Sequence, residues 1–145
     1  MSAGAAVAVA ALFVWLGMVL AISFLEAPLK FRAPGVTLPI GLGIGRLVFR
    51  ALNTIEVALG VVVIAALVAD PPPRAAAVAV GVAVLALLVQ LVAVRPRLRR
   101  RSDAVLADST GSVGSGRSRA HYGYLGLEIV KVAGLIAGGV ALLAG

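Results

Sequence analysis

The sequence predicts an all-α, polytopic membrane protein in which four transmembrane helices form one bundle and one domain over residues 1–145. Two observations carry this expectation. Hydrophobic residues make up 61% of the chain and charged residues 13%, with a mean hydropathy of +1.10. A soluble domain holds about half apolar and about a quarter charged residues, and a water-soluble protein of this length has no core large enough for the difference. The second observation is spacing. Apolar stretches at about 3–25, 46–69, 75–94 and 121–144 each match the roughly 20 residues that one bilayer crossing needs.

The chain has no cysteine, which excludes disulfides, thiolate metal sites and cysteine nucleophiles. A net charge of +7 would point to nucleic acid in a soluble protein. In a membrane protein it reports orientation and contact with anionic lipid head groups.

The first span, Ala3 to Leu25, is expected to be a retained helix and not a signal peptide. No Lys or Arg precedes it, its apolar core is too long, and no small-x-small cleavage site stands clearly after it. Phe13 and Trp15 lie inside it and should pack against helices or lipid. Gly17 and Ala21, four apart, would allow close helix approach. Pro28 and Pro34 are expected to stop this helix, with Glu26, Lys30 and Arg32 at its exit. Pro39 suits the first turn of the next helix. Gly41, Gly43 and Gly45 then follow at alternate positions. This segment reads either as a juxtamembrane loop leading into a helix or as a re-entrant element lining a polar cavity. Its GxGxG lacks dinucleotide-binding spacing and any βαβ context.

The second span closes at the Asp70-Pro71-Pro72-Pro73 turn. Arg46, Arg50, Asn53 and Glu56 fall within about a third of its circumference at about 100° per residue, so it must turn one polar stripe away from lipid. The third span has a single strongly polar residue, Gln90, read as an interhelical hydrogen-bonding group. A basic loop over 95–120 follows. Its Arg95, Arg97, Arg99, Arg100 and Arg101 are expected to meet anionic head groups; no aromatic or folded module there suggests nucleic acid. On the fourth span His121, Tyr124, Glu128 and Lys131 share a face, and Gly134 and Gly138 form a GxxxG pair suited to tight packing.

The first and third loops are basic, while the second holds only Arg74. The positive-inside rule therefore places both basic loops in the cytoplasm and both termini on the non-cytoplasmic side. The expected location is the cytoplasmic (inner) membrane of a bacterium. With that topology the polar faces of the second and fourth spans lie in the cytoplasmic half, and Glu26 arrives there from the first. The expected site is a network of Glu26, Arg50, Asn53, Glu56, His121, Tyr124, Glu128 and Lys131. An ionisable group at mid-membrane costs at least ~2.5–3.5 kcal/mol, so these groups either pair structurally or line a site. Buried pairs are weak devices for stability alone, which favours a site.

One His in the chain cannot supply two imidazoles to a haem, and His121 with Glu56 and Glu128 has weak spacing for a metal. Neither cofactor nor metal is expected. The functional expectation is a small transporter or channel, proton-coupled or for an anionic solute. The anion enters because Glu26, Lys30, Arg32, Arg46, Arg50, Glu56, Glu128 and Lys131 sum to +2, five positive and three negative. The alternative is a non-catalytic, lipid-binding or accessory subunit of a larger complex, and a less favoured third is an intramembrane enzyme acting on a lipid or quinone. Four short helices rarely enclose a path alone, so a homo-oligomer or a partner membrane subunit is expected.

The run VWLGMVLAISFLEAPLKF, followed by GIGRLVFRALNTIE, resembles small four-helix bacterial membrane proteins of the copper-resistance-D-like group. The matching positions are Trp15, Gly17, Pro28, Phe31 and Gly45. The resemblance covers about the first 60 residues and implies the four-helix fold. The copper association of that group belongs to members richer in His and Met than this chain, which has His121, Met1 and Met18.

Overall fold

Long apolar stretches with few breakers must satisfy their backbone groups internally, and helices do so. The computed structural model of the chain describes residues 1–94, 96, 99–100, 103–104 and 119–145, with side chains for these except Val94, Arg119, Ala120 and His121. Among the described residues it is helical with no strand. Four of its helices are long and apolar enough to cross a membrane. We label them α1 (Ala3–Arg32), α2 (Leu38–Ala69), α3 (Arg74–Val89, continued by π-helical Gln90–Val94) and α4 (Arg119–Ala144).

α1 begins where the Ser2 hydroxyl accepts from the Ala5 N–H at 3.0 Å, an N-cap. It does not stop at Pro28, contrary to the expectation from sequence. Residues Leu20–Glu26 form a π-helical stretch, and the helix passes Pro28 before ending in a 3-10 turn at Arg32. A π segment shifts the hydrogen-bond pattern by one residue, which removes the demand for the N–H that proline lacks. The true stop is Ala33. It is extended, with φ −67° and ψ 137°, as the position before Pro34 requires. Gly35, at φ +80°, completes the turn in a region that side chains resist.

α2 starts beyond Thr37, whose hydroxyl caps the Ile40 N–H, with Pro39 in the first turn. Its 32 residues run unbroken from Leu38, with the helix starting beside Pro39 as expected and extending ahead of the apolar span at about 46–69, so there is no re-entrant element here. The glycines instead receive the end of α1. A Cβ on Gly41 would collide with the Phe31 ring, and one on Gly45 would lie 2.8 Å from Lys30 Nζ. Gly43, between them, faces open space.

α1 packs against α2 and α4, and α4 packs against α3. Gly134 and Gly138 make the α3–α4 contact: a Cβ on Gly134 would sit 2.8 Å from the Ala79 carbonyl oxygen, and one on Gly138 3.0 Å from Val80 Cγ2. Phe13 of α1 seats its ring on Gly139. Gly17 faces open space and Ala21 is exposed, so that pair does not carry the helix approach expected of it. α2 and α3 are joined by a tight turn yet barely touch. An apolar groove of about 380 Å³ lies between them, lined by Ile64, Leu67, Val80, Gly81, Val84 and Leu88 among others.

The apolar core is formed by Ala8, Leu12, Trp15, Val63, Ala83 and Leu135 with their neighbours. Both chain ends gather beside the Asp70–Pro73 turn, where the Ser2 hydroxyl donates to Asp70 Oδ2. The first and third loops therefore leave from the opposite end of the bundle.

Candidate functional site

The inner face of α2 is set by its buried residues Gly41, Gly45, Leu52, Asn53, Glu56, Gly60 and Val63, which recur every three or four positions as one helix face does. Glu56 lies at its centre and is fully buried. From α4, Glu128 and Lys131 meet it, both also 0% exposed. Lys131 Nζ lies 2.5 Å from Glu56 Oε1 and also contacts Glu128 Oε1. Its third donor goes to Gln90 Oε1 of α3 at 2.8 Å. The ammonium has three N–H donors, and all three have acceptors.

Each carboxylate takes a second, neutral donor on the same oxygen. Trp15 Nε1 of α1 donates to Glu56 Oε1 at 2.9 Å. Gln90 Nε2 donates to Glu128 Oε1 at 2.8 Å and, more weakly, to the Tyr124 carbonyl at 3.3 Å. All four helices thus contribute a side chain to one cluster. The remaining oxygens, Glu56 Oε2 and Glu128 Oε2, are buried and accept no hydrogen bond. With both carboxylates ionised, two negative charges face one positive charge, a net of −1. A buried charge with no counter-charge is the costliest arrangement a protein interior can hold.

The other residues expected at the site are distributed differently. Asn53 is buried one turn from Glu56, and Tyr124 is buried one turn from Glu128, its ring edge-on to Phe49 at 5.8 Å. Glu26 lies apart from the cluster. It pairs with Lys30 at 3.8 Å, and the Lys30 ammonium sits 5.5 Å and 5.6 Å from the ring centres of Phe31 and Phe49. Arg50 is exposed and outside the network. It stands six positions before Glu56, which places them about 120° apart on the helix. Arg46, on the same flank, pairs with Asp103 at 2.6 Å. The side chain of His121 and the residues Arg95, Arg97 and Arg101 lie outside the described residues, while Arg99 and Arg100 are exposed.

Trp15 and Gln90 belong to the cluster and were not among the residues expected there. Both had a signal. A buried indole N–H needs an acceptor, and a lone glutamine in an apolar span needs partners for both halves of its amide. Among the described residues, no group of three His, Cys, Asp or Glu side chains gathers to hold a metal ion. Neither the groove between α2 and α3 nor a cavity of about 410 Å³ beside the chain ends is lined by a residue of the cluster.

The fold and the cluster define a multi-pass membrane protein that buries an ionic network among its helices. No protein-family model, curated protein or solved structure matches the chain.

Proposed function

We propose that the protein is a small proton-coupled transporter or channel, with Glu56, Glu128 and Lys131 as its proton-binding site. The observation that carries this reading is the sharing of one ammonium by two fully buried carboxylates, each with one oxygen left over. One proton taken up by either Glu56 or Glu128 cancels the surplus negative charge of the cluster. A group that binds a proton at this depth, flanked by neutral hydrogen-bonding side chains, has the chemistry of a relay. An anionic solute has less support, because Arg46 and Arg50 stand outside the cluster and Lys131 is already fully engaged.

In this reading the basic loops face the cytoplasm of a bacterium and both termini face outward, as the arginine distribution requires. Arg99 and Arg100 then meet anionic head groups. The open groove between α2 and α3 supports assembly into an oligomer or with a partner helix, so an accessory-subunit role stays as the second reading; co-purification with a fixed partner and no proton flux would favour it. The direct test is proton flux into liposomes carrying a trapped pH dye. Glu128→Gln and Lys131→Met abolish flux while the protein still inserts and assembles; wild-type flux in both variants removes the proposal.

A further inference from the structure

The buried polar groups of the bundle are placed on one side. Among the described residues, the buried polar or charged side chains are Asn53, Glu56, Gln90, Glu128 and Lys131. All lie at the cluster or between it and the basic-loop end. Asn53 is one turn from Glu56 toward that end of α2, and Tyr124 is one turn from Glu128 toward that end of α4. On α1, Trp15 marks the level of the cluster through its bond to Glu56. Ser23 and Glu26 lie eight and eleven residues further on, about 12 Å and 16 Å along the axis. Ser23 Oγ and Glu26 Oε2 are buried atoms without a hydrogen-bond partner, at the π-helical stretch whose backbone pattern is already displaced. π segments inside α-helices often mark functional positions.

The opposite half is of another kind. From Trp15 back to Ala3, about 18 Å of helix, the buried side chains of α1 are Ala8, Ala11 and Leu12. Facing them are Val63 from α2, Ala76, Val80 and Ala83 from α3, and Leu135 and Leu142 from α4. The Gly134 and Gly138 contacts close α3 against α4 at this level. Among the described residues, no buried polar side chain lies in this half.

We infer that the cluster exchanges its proton with one aqueous phase only, the one bathing the basic loops, through a hydrated column past Asn53 and Ser23 with Glu26 as its outer station. The side chains facing the two carboxylates are Trp15 from α1, Gln90 from α3, and Lys131 from α4, with the Tyr124 side chain one turn away. Glu26, paired with Lys30, is the carboxylate nearest the basic end on α1. The ligand class is the hydrated proton. The apolar half is an insulating plug, so movement to the second phase requires a rearrangement of the bundle or a path completed by another subunit. This inference rests on the reading of the cluster as a proton site.

The native chain has no cysteine, so single-cysteine variants give a background-free test. Ser23→Cys, Asn53→Cys, Ala11→Cys and Val63→Cys are reconstituted as full chains in sealed liposomes and exposed to silver ion from outside. Thiols left unblocked are then alkylated after denaturation and counted by mass. Trypsin cleavage after the exposed Arg99 or Arg100 identifies molecules whose basic loop faces outward. Ser23→Cys and Asn53→Cys become blocked in those molecules and stay alkylatable in the reverse orientation, while Ala11→Cys and Val63→Cys stay alkylatable in both. Blocking of Val63→Cys or Ala11→Cys from the terminal side, or no blocking of Ser23→Cys and Asn53→Cys from the basic side, overturns the inference. Silver access is read without flux. One-sided access together with wild-type flux in Glu128→Gln would retain the column and remove the proton-coupling role, whereas lost flux without one-sided access would do the reverse.

Discussion

Replacing Lys131 by Met tests how the cluster is held together. The side chains are close in volume, so packing is nearly conserved. What is lost is the positive charge that touches Glu56 Oε1, Glu128 Oε1 and Gln90 Oε1. Ionised together at about 4–5 Å without it, two carboxylates would repel by about 3–4 kcal/mol at an effective dielectric of about 20, so the variant drives both to the protonated form. Removing one partner of a buried ion pair typically costs about 3–5 kcal/mol. Lys131→Met should therefore destabilise the folded bundle by about 3–5 kcal/mol, read from SDS-driven unfolding in mixed micelles. Glu128→Gln should behave differently, because it leaves Glu56 and Lys131 as a balanced pair and keeps an acceptor for Lys131 and Gln90. Its cost should be about 1 kcal/mol, the scale of one neutral hydrogen bond. The double variant Lys131→Met with Glu56→Gln should cost less than the sum of its parts by more than about 1 kcal/mol, since contacting groups couple by ~0.5–3 kcal/mol. Additivity within about 0.5 kcal/mol, or equal losses in Lys131→Met and Glu128→Gln, would refute the charge argument.

Three further outcomes follow from the packing and the placement of charges. Trp15→Phe removes the donor to Glu56 and the outer indole atoms that pack at Gly60; the same unfolding assay should show a loss of at least about 1.5 kcal/mol, the lower end for a hydrogen bond to a charged group. Gly134→Ala should cost about 1–3 kcal/mol through overpacking against the Ala79 carbonyl, whereas Gly17→Ala and Gly81→Ala, which meet nothing within 4 Å, should be neutral or stabilising because alanine favours the helix. Arg50→Ala should leave proton flux in liposomes unchanged, since Arg50 lies outside the cluster; its loss would bring that arginine back into the site.

The helices were legible because hydropathy and length leave few alternatives for a chain this apolar. The faces were less so. The polar stripe of α2 drew Arg46 and Arg50 inward, but a long charged side chain can reach water from the flank of a helix, so its position does not define the buried face. Gly41, Gly45, Glu56 and Gly60 do, by their spacing. The end of α1 was misplaced because proline rules assume α-helical hydrogen bonding, and the π-helical turn before Pro28 relaxes that condition. The meeting of Glu56 with Glu128 and Lys131 could be anticipated from the need to shield charge from lipid. Trp15 and Gln90 could not be placed there without knowing which sides of α1 and α3 point inward, since both helices are apolar nearly all round.

Glu56 and Glu128 share one ammonium, and the proposed proton site requires one proton on this pair as well. Infrared difference spectroscopy on protein with isotope-labelled glutamate, in lipid at neutral pH, counts protonated carboxyl groups directly. One such group is expected in the wild-type cluster, none in either Glu56→Gln or Glu128→Gln, and two in Lys131→Met. A wild-type cluster with no protonated carboxyl, or a signal that survives in both glutamine variants, would contradict the proposed proton site.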